Sequence, residues 1–432
     1  MVILETGKQM ELFQQEYDSN DSILIPIMKD KYAHPLQNEV CFLYAYLMNG
    51  SKYIIPFDHP EIIDSNGDIF QYINLENDRK KYVCDKKLFS HLFKLDNVYD
   101  VSLLYYLNTN KVLEINDKGT NSHNFFNNQF YKLKNINTII PVFKHIEKCD
   151  VIKDTLLEII NKYEINSVYD IYNKEVIPNL SYIEKSGLQT LEGNVYSEYN
   201  LFTTTGRPSN RFGGINFAAL DKNDGSREKF ISRFNGKGML VEFDYESYHP
   251  RIIADIVGYD FPKDISIHKY LGKQYGTDDY NESKAITFRL LYGGIPKDIA
   301  DSIPFYNKVQ TYVRKKWNEY KGSFSVKSDI YCREIGRHKD MNPNKLVNYL
   351  IQLSETEYNM KMFSKLIPFV EKHKSRLVLY NYDSVLIDFC MEDGLDFLTK
   401  VKEIMENDKF PTKIKYGTNY HDMKDMGEKI NV

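Results

Sequence analysis

The chain has 432 residues, 42% of them apolar and 27% charged, and a formal net charge of −4. That balance fits a globular chain of two or three domains. It excludes a protein whose whole surface is basic enough to attract nucleic acid, so any polyanion site must come from local clusters of Lys and Arg.

Five cysteines, at 41, 84, 149, 332 and 390, form no CxxC pair. This argues against a zinc site or a disulfide frame and for reduced thiols in a cytoplasmic setting. The first residues lack the apolar core of a signal peptide, and no apolar run approaches membrane-spanning length, so no membrane contact is expected.

In chain order, Ile23–Met28 and Val40–Leu47 read as strands, Asn49-Gly50 marks a hairpin, and Lys52–Pro56 pairs back. Ser102–Leu107 reads as helical. From Asp150 to Gly187 the apolar spacing is helical, through Ile152, Leu156, Ile159, Ile171, Val176, Leu180 and Ile183. After a short connector, a strand ends in Asp244 and a helix follows through Ile252, Ile253 and Ile256. Helices are expected near 267–275, 281–292 and 305–320 and from Asn344 to Phe369, and then a hairpin carries Asp383.

Asp244 and Asp383 each close a β-prone apolar run, in Met239-Leu-Val-Glu-Phe-Asp-Tyr245 and Leu377-Val-Leu-Tyr-Asn-Tyr-Asp383. Two carboxylates on neighbouring strands are hard oxygen ligands able to anchor two divalent ions for phosphoryl transfer. Either one alone is better read as a turn aspartate. Between them, Lys284, Phe288 and Tyr292 stand at i, i+4 and i+8, so they share one helix face. A cation followed by two rings suits a triphosphate followed by a base. An amphipathic helix with aromatic core contacts has the same spacing.

The motifs together resemble family A DNA polymerases, in a compact, phage-like form. Asp244-Tyr245 with Arg251, Lys284-x3-Phe288-x3-Tyr292-Gly, and Tyr382-Asp383-Ser384 stand as that family's motifs A, B and C. Thr205-Gly-Arg-Pro-Ser209, Arg227-x2-Phe230, Ile267-His268 and Asn348-Tyr-Leu-Ile-Gln352 are further matches in the family's order. The resemblance implies an α+β right-hand fold with palm (201–260 and 335–432) and fingers (261–334). A helical connector or thumb remnant (151–200) and a degenerate exonuclease-like domain of ribonuclease H type (1–150) precede them. It implies that Asp244 and Asp383 hold two Mg²⁺ ions, with Mn²⁺ able to replace them. Lys284 and His268 would bind the triphosphate. Phe288, Tyr292, His249, Tyr245 and Arg251 would surround the incoming nucleotide, and Arg207, Asn348, Gln352 and Tyr382 would contact primer–template DNA. The implied substrates are dNTPs. A clamp, a single-strand-binding protein or another processivity factor is an implied partner, and the host cytoplasm is the expected location if a phage encodes the chain.

Several departures are legible. His249 stands where the family has the glutamate that screens the sugar 2′ position. Tyr280 replaces an arginine four residues before Lys284, with Arg289 and Lys297 as candidate substitutes, and Ser384 replaces an acidic residue. The exonuclease Asp-x-Glu slot reads Pro26-Ile-Met28, so proofreading is not expected, and Asp30, Asp85, Asp96 and Asp100 read as surface carboxylates. Only 17 residues separate Gly187 from Thr205, too few for a helical thumb. Arg314, Lys315, Lys316 and Lys321 are candidates to replace part of its grip on DNA. Rival readings are a catalytically inactive polymerase-like module that binds primer–template, a nuclease acting through the N-terminal domain, and a structural protein with accidental motifs.

Overall fold

An unbroken apolar run such as Ile23–Met28 suits a strand covered on both faces, and it lies inside a six-stranded sheet. The computed structural model describes residues 1–28, 33–57, 73–115, 120–121, 142–210, 215–221, 223–262 and 265–427. They fall into two units, Met1–Ser181 and Tyr182–Val432.

In the first unit the strands are β1 (Val2–Ile3), β2 (Ser22–Met28), β3 (Val40–Leu47), β4 (Lys52–Pro56), β5 (Lys81–Val83) and β6 (Val98–Asp100), in the order β1-β4-β3-β2-β5-β6. The hairpin between β3 and β4 forms where Asn49-Gly50 predicts it. Pro26, Ile27 and Met28 are buried. They lie beyond the part of β2 that pairs with β5, which is limited to Ser22 and Ile23. A proline is tolerated best where a strand has lost one neighbour. Helix α1 (Gly7–Ser19) covers the sheet with Met10, Phe13 and Tyr17, packed with Leu24, Leu43 and Tyr53.

Asp85 and Asp100 begin α2 (Lys86–Leu92) and α3 (Val101–Thr109). Their carboxylates accept from Leu88 N–H at 2.9 Å and Leu103 N–H at 2.8 Å. Both are buried, at 5% and 2% exposure, which corrects the expectation of surface carboxylates: a helix start packed against a sheet needs its cap acceptor inside the protein. Burial, and then the neighbouring Asp85, push the Asp100 carboxyl up to about 7. Asp96 is exposed, as expected, and Asp30 lies outside the described residues. Helices α4 (Val142–Lys162), α5 (Ser167–Ile171) and α6 (Ile177–Ser186) follow.

The second unit is built on an antiparallel sheet of β7 (Gly238–Tyr245), β8 (Arg376–Asn381), β9 (Ser384–Cys390), β10 (Thr412–Gly417) and β11 (Lys424–Asp425), in the order β8-β9-β7-β10-β11. The strand that carries Asp244 near its end is therefore central. Helix α7 (Tyr248–Val257) follows β7 directly. Then α8 (Ile267–Tyr275), α9 (Tyr280–Gly293), α10 (Lys297–Ser302) and α11 (Pro304–Ser323) form a helical group whose core holds Leu271, Leu290, Phe305 and Val309. The long helix α12 (Pro343–Val370) starts at an Asn342 cap and a first-turn Pro343, and α13 (Gly394–Glu406) follows β9. Residues 188–204 are all described and hold three short strands, Leu188–Thr190, Gly193–Val195 and Tyr199–Asn200, with no helix.

Candidate active site

The antiparallel pairing of β7 with β9 sets Asp244 directly opposite Ser384, and Tyr245 N–H donates to the Asp383 carbonyl at 2.9 Å. The two aspartates thus sit one register step apart at the ends of adjacent strands. Asn381 pairs with Ser384, so Tyr382 and Asp383 form the two-residue turn, with Tyr382 at φ +62°. Left-handed backbone costs a tyrosine about 1 kcal/mol. Two contacts hold it there: the Arg207 guanidinium lies 3.6 Å from the Tyr382 ring centroid, and Asn359 Nδ2 donates to the Tyr382 carbonyl at 2.8 Å. Desolvation, and then the nearby Glu355 carboxylate, raise the pKa of Asp383.

Arg207 is placed by the Thr203–Ser209 loop. Gly206 has φ +67°, and a Cβ there would lie 2.3 Å from Arg333 Nη1 and 2.7 Å from Leu353 Cδ1. Arg333 in turn donates to the Thr203 carbonyl at 2.9 Å. Only glycine meets both demands at this position.

Helix α9 begins at Asp279, whose carboxylate accepts from Glu282 N–H at 2.7 Å. One face carries the exposed Lys284 and the half-buried Phe288 and Tyr292, as the spacing predicts. Phe288 and Tyr292 stack with centroids 5.7 Å apart, and His268 packs on Phe288 at 5.8 Å. His268 is 1% exposed and its Nδ1 has no hydrogen-bond partner. Burial, and then the charges of Lys284 and Lys413, push its pKa down to about 4. At neutral pH the imidazole is uncharged, so it offers a phosphate an N–H donor and no cation.

Tyr292 hydroxyl and His249 Nδ1 are hydrogen-bond partners. On its other side, His249 Nε2 lies 3.2 Å from Glu355 Oε1, and Glu355 Oε2 lies 2.9 Å from Arg207 Nε. Glu355 is fully buried on α12. It is a site residue that sequence reasoning missed. Its signal was a carboxylate at i+7 from Asn348, on a helix face with no room for an unpaired charge.

These groups line one cavity of about 540 Å³. Its walls include Arg207, Asp244, Tyr245, His249, His268, Lys284, Phe288, Tyr292, Glu355 and Asp383, together with Tyr280, Glu246, Lys413 and Lys415. Its volume is that of a small-molecule site. Four expected site residues are not in its wall. Tyr382 stands behind Arg207 in the stack already described. Asn348 and Gln352 are half-buried on the same α12 face as Glu355. Arg251 is 8% exposed, and its Nε donates to the Glu246 carbonyl at 3.1 Å, bracing the turn after β7. Tyr245 reaches the wall, but its ring stacks on Tyr248 at 4.0 Å and its hydroxyl donates to the Met405 carbonyl, so packing occupies it. Arg289 and Lys297, the candidate replacements for the missing arginine, do not line the cavity, whereas Lys413 and Lys415 do.

No protein-family model matches the sequence. Among solved structures the chain is similar to the POL domain of Pol1 from M. smegmatis, in complex with DNA primer-template and dNTP. Identity is 12% and the TM-score 0.66, over 98% of this chain and 100% of that one. No helix among the described residues is long and apolar enough to cross a membrane. At that level of identity the likeness establishes the architecture: this chain has the mixed α and β fold of a polymerase domain.

Proposed function

We propose that this chain is a template-directed DNA polymerase of the family A kind, adding dNTPs to a primer 3′-OH. The observation that carries this reading is the single cavity in which Asp244 and Asp383, from adjacent strands, face Lys284, Phe288 and Tyr292 from one helix face. The solved neighbour of the same fold holds primer-template and dNTP. The sheet with its flanking segments (201–260 and 335–432) would act as palm and 261–334 as fingers.

Two Mg²⁺ ions, or Mn²⁺ in their place, fit the donor set. Asp244 and Asp383 supply hard carboxylate oxygens, and no group of three or more His, Cys, Asp or Glu converges among the described residues, so water and phosphate oxygens would complete the shells. When bound, such ions supply the charge that favours the attacking and leaving oxygens of an in-line displacement. The chain's own residues orient the reactants. Lys284 and His268 hold the triphosphate, Phe288 packs on the nucleotide, and Arg207 lies toward the primer with Tyr382 behind it. Asn348 and Gln352 would read minor-groove acceptors, which report pair geometry rather than sequence. Pro26 and Met28 offer no metal ligand in the N-terminal sheet, which supports synthesis without proofreading. Primer–template DNA and dNTPs are the partners, with a clamp or single-strand-binding protein for long products.

The test is extension of a labelled primer by the full chain on templates that differ in one base. The nucleotide incorporated should change with the template base. A chain that binds the duplex but adds nothing is the inactive module instead.

A further inference from the structure

A triphosphate tail carries several negative charges, and a site partly walled from water must offset them. Among the residues helix α9 brings to the cavity, Lys284 alone is a cation. One turn earlier stands Tyr280, its ring edge-on to His268 at 5.5 Å, and His268 is a donor without charge. The opposite wall is different. Strand β10 pairs with β7 so that Lys413 stands directly across from Asp244 and Lys415 across from Glu242. Directly paired residues share a sheet face, so both lysines rise from the face that carries Asp244.

Lys413 is uncommitted. Its side chain is 54% exposed, and its Nζ is 3.9 Å from Glu246 Oε1, the outer edge of an ion pair. An exposed pair that loose holds a lysine weakly, so Nζ can turn to an anion. Lys284 and Lys413 both act electrostatically on the same buried imidazole of His268, whose Nδ1 lacks a partner. A lysine from the helix, a lysine from the sheet and an open imidazole nitrogen therefore line one cavity.

We propose that Lys413, from the sheet and not from the helix that bears Lys284, is the second cation that binds the β- and γ-phosphates of the incoming nucleotide, with His268 donating between the two lysines. The identity of the nucleotide rests on the polymerase reading, but the phosphate site is testable without it. Lys413 substitutes for the cation that Tyr280 does not supply, which makes nucleotide capture depend on both walls of the cavity.

Two measurements on the full chain separate the claims. The first is calorimetric titration with inorganic tripolyphosphate and Mg²⁺. Lys413→Met should weaken binding at least about tenfold, the loss of one charge-assisted contact, and Lys413→Arg should restore most of it. Unchanged affinity in Lys413→Met, or no tripolyphosphate binding by the wild type, overturns the proposal. The second is primer extension, in which Lys413→Met should raise KM for dNTP while the Kd for primer–template and the melting temperature stay as in the wild type. Normal extension kinetics in Lys413→Met sink the role of Lys413 and leave the polymerase reading intact. Tripolyphosphate binding that depends on Lys413, in a protein that extends no primer, keeps the phosphate site and ends the polymerase reading.

Discussion

His249 is held from both sides: its Nδ1 meets the Tyr292 hydroxyl, and its Nε2 lies 3.2 Å from Glu355 Oε1. The imidazole thus links helix α9 to the buried carboxylate of α12, and Arg207 closes the chain at 2.9 Å from Glu355 Oε2. A ring fixed in this way beside a sugar would crowd a 2′-hydroxyl.

The expected consequence is discrimination against ribonucleotides. His249→Ala should raise the ratio of rNTP to dNTP incorporation about tenfold or more, the scale of a steric pocket contact. Glu355→Gln frees the ring without removing it and should move the ratio the same way by less. Glu355→Ala should also lower stability by about 2 kcal/mol, because it strips Arg207 of its partner. Single-nucleotide incorporation with matched rNTP and dNTP measures the ratio, and an unchanged ratio in His249→Ala returns the histidine to a packing role.

Gly206→Ala is expected to destabilise the fold by about 2 kcal/mol or more. The substituted residue would keep φ near +67° and place its Cβ against Arg333 and Leu353. Urea denaturation gives the difference. Extension should fall too, since the same loop positions Arg207. Wild-type stability in Gly206→Ala would mean that the loop adjusts freely.

How much of this was legible in the sequence depends on how far apart the partners lie. Lys284, Phe288 and Tyr292 could be placed on one face because helix spacing is local and fixed. Asp244 and Asp383 could be matched because each closes an apolar run. Glu355 could not, because its partners Arg207 and His249 come from other elements over a hundred residues away, and only folding brings them together. Asp85 and Asp100 read as surface residues because a cap and a turn aspartate look alike until the helix start is packed. Lys316 read as a candidate to grip DNA, yet it is 6% exposed and bound to Asp329 at 2.8 Å beyond the end of that helix.

His268 gives a prediction in pH. Its folded pKa, about 4, lies below the ordinary histidine value of 6.5. Between these values the unfolded chain binds the extra proton, so the contribution of the neutral imidazole is present above 6.5 and lost as pH falls toward 4. His268→Gln should remove that slope, so the gap between mutant and wild-type stability should change by up to about 3 kcal/mol from pH 7 to pH 4. Parallel stability curves for the two proteins would show that His268 is not held neutral by its surroundings.

Synthesis by the isolated chain should be distributive. Residues 188–204 contain no helix, the formal charge is −4, and of the four basic residues of α11 expected to grip the duplex, Lys316 is buried. Few phosphate contacts mean weak duplex binding with strong dependence on salt. In an extension assay with trap DNA, products should lengthen by few nucleotides per encounter at physiological salt, and hundreds in one encounter would reveal a grip elsewhere on the protein.

The central claim is that Asp244 and Asp383, brought side by side at the ends of β7 and β9, carry the chemistry. The direct measurement is the rate of single-nucleotide incorporation into a primer by wild type, Asp244→Asn and Asp383→Asn across a Mg²⁺ titration, with melting curves for all three. The expected result is Mg²⁺-dependent incorporation by the wild type and a loss of at least about a thousandfold in each variant, with the fold retained. Near-normal incorporation by either folded variant would contradict the assignment of the active site.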